Sequence, residues 1–262
     1  MVGGDDQVVS SYDIATHELV DLWDVGHPIT CIACLPLEGG NFISAVGTET
    51  GQVLLRQGWD PAPSRQFTCS KPSKSAAHGA TTSILDIKFS KNGQTIAAAC
   101  QDSQVYIMKF EDGDYHASKA CGLENGFPVS LNFSEDSKKL VIGTNLRKLL
   151  VLDPETEMLQ YKSEDLSSCF WSTWLSRFPT ITKDVQRAPM MPITIGNSSN
   201  LVVAGDEHGN IHLWREVESI KENIGANLST HASNVQKLEM TVDDQRVLST
   251  GYLDQAMCQF KI

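Results

Sequence analysis

Two histidine–aspartate pairs recur at nearly the same separation, His78 with Asp102 and His231 with Asp254, each about two dozen residues apart and each with Ser or Thr nearby. A serine, a histidine and a carboxylate are the parts of a nucleophilic relay: the carboxylate orients the imidazole, and the imidazole takes the hydroxyl proton. Ser249, His231 and Asp254 supply those parts. Repetition points elsewhere, because a catalytic relay is needed once whereas a network that ties a structural unit together is needed in each unit. His78, Asp102, His231 and Asp254 therefore read as a structural polar network. No G-x-S-x-G elbow, H-E-x-x-H or Gly-rich phosphate loop occurs, so no catalytic residue, no metal ligand and no cofactor site is expected. Cys31-Ile-Ala-Cys34 has C-x-x-C spacing, but it falls in a predicted strand and no second pair completes a zinc site.

The elements that would position these residues are hairpins. Asn200–Trp214 reads as two strands around a tight turn: Leu201–Ala204 is apolar, Asp206–Asn210 is turn chemistry with a glycine, and Ile211–Trp214 alternates. Similar hairpins occur at Phe42–Leu55, Thr95–Phe110, Lys139–Leu152 and Arg246–Phe260. Several follow a further strand and a polar turn: Ile84–Phe89 with Ser90–Gly93, Val129–Phe133 with Ser134–Ser137, Val235–Met240 with Val242–Gln245. With a fourth strand in the linking segment the unit repeats every 40–45 residues or so, the period of a propeller blade.

The chain is thus expected to be all-β, a WD40-type β-propeller of roughly six blades with the first and last incomplete. Residues 1–25 form a partial blade, 26–76, 77–125 and 126–163 form blades, 164–189 an irregular insertion, 190–229 a blade and 230–262 a last blade lacking its outer strand. Met1–Asp13 reads as the turn and third strand of a blade whose first two strands are absent, and Pro61–Ser75 as a loop or weak outer strand. The expectation is the carboxyl-terminal part of a longer propeller.

Composition narrows the partners. A formal net charge of −11 and a pI near 5.0 oppose phosphate-backbone binding, which needs clustered Lys and Arg, so nucleic acid is not an expected partner. No apolar run is long enough to span a bilayer and Met1–Ser10 has no signal-peptide pattern, so no membrane partner and a cytoplasmic setting are expected. Seven cysteines in no even framework fit a reducing compartment.

The polar pairs follow the WD40 pattern, in which a His, a Ser or Thr, a turn Asp and a Trp form a network within the blade. The pattern is degenerate here: Met108 and Phe260 replace the Trp, the fifth unit keeps Trp214 but has His208 where the Asp would sit, the fourth has Leu146 there, and the second offers Thr50 after His27.

Three stretches in order also resemble the echinoderm microtubule-associated protein-like family, whose members carry tandem atypical propellers. They are Val129–Lys138 with the hairpin ending at Val151-Leu-Asp153, the Phe170-Trp-Ser-Thr-Trp174 element, similar to a W-x-T-[WY] element of that family, and the ending His231–Gly251. The resemblance implies microtubule or tubulin association, a cytoskeletal setting and a second propeller upstream. The family's basic amino-terminal region, coiled coil and hydrophobic motif are absent from the sequence, and an acidic chain without them is not expected to hold the acidic microtubule surface by itself.

The candidate partner contact is the insertion, where Trp171, Trp174 and Phe178 lie among Arg177, Lys183 and Arg187. Aromatic anchors on loops are common interface hot spots, but a segment this apolar also tends to fold back and cap a blade. The functional expectation is a non-catalytic protein–protein interaction module contacting tubulin or other cytoskeletal proteins. The alternative is a WD40 scaffold subunit of another assembly, such as an axonemal or ciliary one, with no direct tubulin binding.

Overall fold

Short apolar runs broken by Gly, Asn, Asp and Ser favour antiparallel hairpins, because each run is too short for a helix and each break supplies a turn. The computed structural model describes residues 1–69, 82–124, 126–134, 136–145, 149–156, 158–160, 193–195, 201–206, 208–214, 226–241 and 243–262. Among these the regular structure is strand, apart from one 3-10 turn at Glu38–Gly40. The chain divides into two compact units, Met1–Asp165 and Leu166–Ile262.

The first unit holds four antiparallel sheets, each a meander in which sequence neighbours pair. They are β1 (Val2–Gly3), β2 (Val8–Tyr12) and β3 (Leu19–Asp24); β4 (Ile29–Pro36), β5 (Phe42–Thr48), β6 (Gln52–Gln57) and β7 (Arg65–Thr68); β8 (Ile84–Phe89), β9 (Thr95–Cys100), β10 (Gln104–Glu111) and β11 (Asp114–Gly122); β12 (Pro128–Phe133), β13 (Leu140–Thr144), β14 (Leu149–Asp153) and β15 (Met158–Gln160). The second unit holds β16 (Ile193–Ile195), β17 (Val202–Gly205), β18 (Asn210–Trp214) and β19 (Ala226–Ser229), then β20 (Val235–Met240), β21 (Arg246–Gly251) and β22 (Met257–Lys261). Four-stranded meanders in series are the blades of a WD40-type β-propeller, here with three strands in the first and last. Val2–Gly3 pairs with Val9–Ser10, a strand more than the sequence pattern indicates, because a two-residue ladder containing glycine has no readable period.

In the first unit, sheets pack face to face and the inner strands of the middle ones are buried on both sides. Strand β9 makes this concrete. Ile96, Ala98 and Cys100 join Ala45, Val53 and Leu55 of the sheet before it, while Ala97 and Ala99 join Leu131, Leu140 and Ile142 of the sheet after it. The period of two thus alternates between two buried cores rather than between core and water, so the strand reads as a continuous apolar run. In the second unit Val203 and Ile211 pack against Val235, Leu238 and Val247 of the following sheet.

Two devices recur. At the turn leading into the next-to-last strand of four blades, a residue with left-handed φ (Gln7 67°, Gly51 78°, Ser103 68°, Gly209 82°) turns its carbonyl toward the chain leaving the outer strand. Those carbonyls accept the N–H of Val25 at 2.9 Å, Cys69 at 2.8 Å, Leu123 at 2.8 Å and Thr230 at 3.1 Å. At the opposite turns, the hydroxyls of Ser90, Ser134 and Thr241 accept the backbone N–H of Thr95, Lys139 and Arg246 at 2.9, 2.9 and 3.0 Å. Each hydroxyl donates to Asn92, Asp136 or Asp243 two residues on, which is why Ser-x-Asn and Thr-x-Asp punctuate the sequence there.

Candidate functional site

The last blade assembles three of the candidate polar residues. His231 lies just before β20, Ser249 on β21 and Asp254 in the turn between β21 and β22. His231 Nδ1 is 2.9 Å from Asp254 Oδ2 and its Nε2 is 2.8 Å from Ser249 Oγ. With Nδ1–H donating to the carboxylate, Nε2 is left to accept from the serine hydroxyl. The backbone N–H groups of Ala256 and Ala232 also donate to Asp254; the Ala256 bond is the largest influence and, with Ala232 and His231, holds the carboxyl below its ordinary value. Gly251 ends β21: a Cβ there would run into Asp254 Oδ1 and come within 2.6 Å of His231 Nδ1, so only glycine fits beside the pair.

The arrangement is that of a nucleophilic relay, but its position decides its chemistry. Ser249 is 1% exposed and the His231 side chain has no exposed surface, so an attacking hydroxyl would have no substrate to reach. What the geometry does is satisfy three buried or bent polar groups at once and bind the blade's entry to its second strand and its turn.

The fifth blade solves the same problem with other residues. His208, aligned with the carboxylate position, contributes its backbone N–H, and Asp206 two residues earlier supplies the carboxylate. Burial alone would raise the Asp206 carboxyl, but hydrogen bonds from the Asn210 and His212 side chains and from the N–H groups of Asn210 and His208 outweigh it and hold the group down at about 2. The turn then docks on the start of the last blade, where Gly209 accepts from Thr230 and His231 and Asp206 accepts from Val235 N at 3.0 Å. A Cβ on Gly209 would strike the His231 carbonyl oxygen.

In the third blade His78 lies outside the described residues. Asp102 accepts from the Tyr106 hydroxyl at 2.6 Å and from Gln104 N at 3.0 Å. Burial, then the Asp102 hydrogen bond, pushes the Tyr106 phenol strongly up. Beside it, burial raises both the Cys69 and Cys100 thiols to about 12. In the second blade the Thr50 hydroxyl meets Thr48 Oγ1 at 3.0 Å, and Thr48 caps the turn by accepting from Gln52 N. Cys31 is buried and Cys34 exposed, since positions three apart in a strand face opposite sides; the pair cannot converge on one ion. Trp171, Trp174, Arg177, Phe178, Lys183 and Arg187 lie outside the described residues, as does Leu146.

Two features escape the sequence reading. Arg56 on β6 is 2% exposed: its Nη1 lies 2.7 Å from Asp21 Oδ2, its Nε donates to the Asp60 carbonyl, and its guanidinium covers the Trp23 ring at 5.2 Å. Leu54 faces the first sheet's core, so Arg56, two residues on, must as well. The second is the tip of the last hairpin, where Tyr252 and Leu253 are 59% and 74% exposed. They are held outward by Tyr252 N donating to the Asn234 carbonyl at 3.1 Å and Leu253 N to Ser233 Oγ at 2.8 Å. An apolar pair at a polar turn was the available signal.

Comparison with known proteins gives a consistent result. The model of the family described as the echinoderm microtubule-associated protein second beta-propeller matches residues 1–262. Echinoderm microtubule-associated protein-like 2 of Rattus norvegicus is 21% identical over 266 residues, covering 99% of this chain and 39% of the relative. The 77 kDa echinoderm microtubule-associated protein of Lytechinus variegatus is 24% identical over 183 residues, covering 67% of this chain and 28% of the relative. WD repeat-containing protein 70 of Xenopus laevis is 27% identical over 165 residues, covering 58% of this chain and 25% of the relative. The chain spans well under half the length of each of these relatives.

Proposed function

The chain belongs to the family of echinoderm microtubule-associated protein second β-propellers, and from that premise we propose that it is a non-catalytic interaction module that contacts tubulin or other cytoskeletal proteins in the cytoplasm. The observation that carries the proposal is the family match across residues 1–262, joined by relatives named for microtubule association. The structure supports it chemically. The histidine, serine and carboxylate of the last blade are turned inward and used up in holding it, while Tyr252 and Leu253 are presented outward on a braced turn. Rigid loops carrying aromatic and aliphatic tips are what propellers offer to partners.

The test is co-elution with soluble αβ-tubulin on size exclusion, paired with microtubule co-sedimentation. Co-elution that is lost in a Tyr252→Ala/Leu253→Ala variant of unchanged thermal stability supports tubulin contact through this hairpin. A folded chain that ignores both soluble tubulin and microtubules refutes the tubulin reading. A second reading, a scaffold subunit of another assembly, draws on the likeness to WD repeat-containing protein 70 and on the net charge of −11, which opposes docking on an acidic lattice. Reaction of Ser249 with a fluorophosphonate probe would overturn the non-catalytic assignment.

A further inference from the structure

We propose that the free edge of β22 takes on a fourth strand from a partner protein, an extended segment that lays one apolar side chain against Met257. In four blades the strand that follows the left-handed turn is flanked by an outer strand, β3, β7, β11 or β19. In the last blade the corresponding strand is β22, and among the described residues it pairs with β21 alone.

The turn before β22 is nevertheless built like the others. Asp6 Oδ1 accepts from Val8 N at 3.3 Å, Asp102 Oδ1 from Gln104 N at 3.0 Å, and Asp254 Oδ1 from Ala256 N at 3.1 Å. The residue between is left-handed each time, with φ 67° at Gln7, 68° at Ser103 and 51° at Gln255. The Gln7 and Ser103 carbonyls receive the N–H that follows an outer strand, whereas the Gln255 carbonyl accepts from no described residue. The clasp is formed and its donor is missing.

The ladder fixes what the edge offers. Gly251 N donates to the Ala256 carbonyl at 3.2 Å and Ile262 N to the Gln245 carbonyl at 2.8 Å, so the even-numbered residues turn their backbone groups toward β21. Alternate residues of an antiparallel pair point the other way. Met257, Gln259 and Lys261 therefore present N–H and C=O outward, in line with the Gln255 carbonyl. The register with β21 is unbroken, and β22 holds no proline and one charge, Lys261 at its end, so nothing blunts the edge against a further strand.

The other blades define what the occupant carries. Val9 faces Trp23, Val53 faces Phe67, Val105 faces Cys121 and Ile211 faces Leu228 on the outer strand. That outer residue is apolar in all four, and it lies two positions before the one whose N–H closes the clasp. Met257 holds the equivalent place in β22 and is 42% exposed. The described strands are each paired within their own sheet, so the added strand is an extended segment of another protein, held by its main chain and selected by its apolar residue. The contact goes beyond the tubulin reading and needs neither Tyr252 nor Leu253.

The test uses the 262-residue chain and fluorescein-labelled Glu-Val-Thr-Val-Trp-Thr-Val, read by anisotropy. With its Trp opposite Met257, the N–H groups of Trp and of the final Val face β22, while those of the preceding Val and of the second Thr face away. N-methylation of the first pair should weaken binding about tenfold and of the second pair less than about twofold. Ser in place of the Trp should weaken it about fivefold. Hydrogen exchange at Met257, Gln259 and Lys261 should be fast in the free chain and slow with peptide bound. Gln259→Pro removes an outward N–H and no β21 bond, and should abolish binding without moving Tm; the methylated peptides test the edge even if that variant does not fold. No binding, equal loss from both methylated peptides, protection elsewhere, or slow exchange at the three amides of the free chain would each overturn the proposal. So would a concentration-dependent dimer dissolved by Gln259→Pro, because the occupant would then be a second copy.

Discussion

Arg56 offers the sharpest quantitative test, because its charge is buried and its partners are few and known. Asp21→Asn keeps the shape of the site and removes only the countercharge. A buried ion left without its partner costs about 3–5 kcal/mol. Two features here lower that figure. The Asp21 side chain is 20% exposed, so water already screens the pair, and the guanidinium keeps the Asp60 carbonyl and the face of Trp23, a cation–π contact contributing about 1 kcal/mol. The expected loss is therefore about 2–3 kcal/mol, or about 5–10 °C in Tm for a chain of this size. Arg56→Met keeps the stem packing and removes the cation, leaving Asp21 where water can reach it, and should cost less, about 1–2 kcal/mol. The double variant should cost about as much as Arg56→Met alone, so the double-mutant cycle closes with a coupling of about 2 kcal/mol. Urea unfolding followed by far-UV circular dichroism, with the denaturant slope checked for constancy, measures all three. If Asp21→Asn destabilises less than Arg56→Met, or the single effects add to within about 0.5 kcal/mol, the guanidinium is not held by that carboxylate and the reasoning fails.

Gly209→Ala should lower stability by about 3 kcal/mol or more, since the residue has φ 82° and its Cβ would strike the His231 carbonyl; thermal melts of the purified variant would show it. Asp206, held at about 2 against an ordinary 3.8, contributes stability that is fully present above about pH 4 and is lost as the pH falls toward 2. Urea midpoints from pH 6 to pH 2 should thus show the gap between the native chain and Asp206→Asn narrowing with acidity. Cys69 and Cys100, buried with thiols raised to about 12, should resist iodoacetamide at pH 8 until urea unfolds the chain, whereas exposed Cys34 should react at once, as peptide mapping by mass spectrometry would report.

The repeating hairpins were legible because each carries its own punctuation. Ser90–Gly93, Ser134–Ser137 and Thr241–Gln245 announce turns whatever lies around them, and the apolar runs between them have strand length. His231 and Asp254 were legible as a pair because spacing alone brings them to the same end of a blade. Asp206 was not, since its role passed to a residue two positions off the expected one within the turn between β17 and β18, where no strand period fixes which side chain turns inward. Arg56 was hidden for a different reason: in Gln52–Gln57 every position but the last is inside or nearly so, and a lone arginine in such a run gives no sign of which neighbouring sheet supplies its anion. Long-range partners like Asp21, 35 residues earlier, carry no local signature. The exposure of Tyr252 and Leu253 depends on Ser233 and Asn234 holding the turn, which is again a contact between segments distant in sequence.

The closure at the hairpin tips bears on how such a chain tolerates change. Its acceptors are backbone carbonyls and its donors backbone N–H groups, and the residues that present those carbonyls are a glutamine, a serine and two glycines. In these four blades the demand on the sequence is a residue able to adopt left-handed φ at one position, joined at Gly51 and Gly209 by the need for no Cβ, whereas at Gln7 and Ser103 glycine is dispensed with. Side chains elsewhere in the blade can then be exchanged, provided they stay apolar and of fitting volume, without loosening the clasp. Exchange of side chains at about four positions in five, the distance that separates this chain from the rat protein at 21% identity, asks nothing of these backbone bonds where the left-handed positions are kept, so drift in this architecture erases the words long before it alters the grammar.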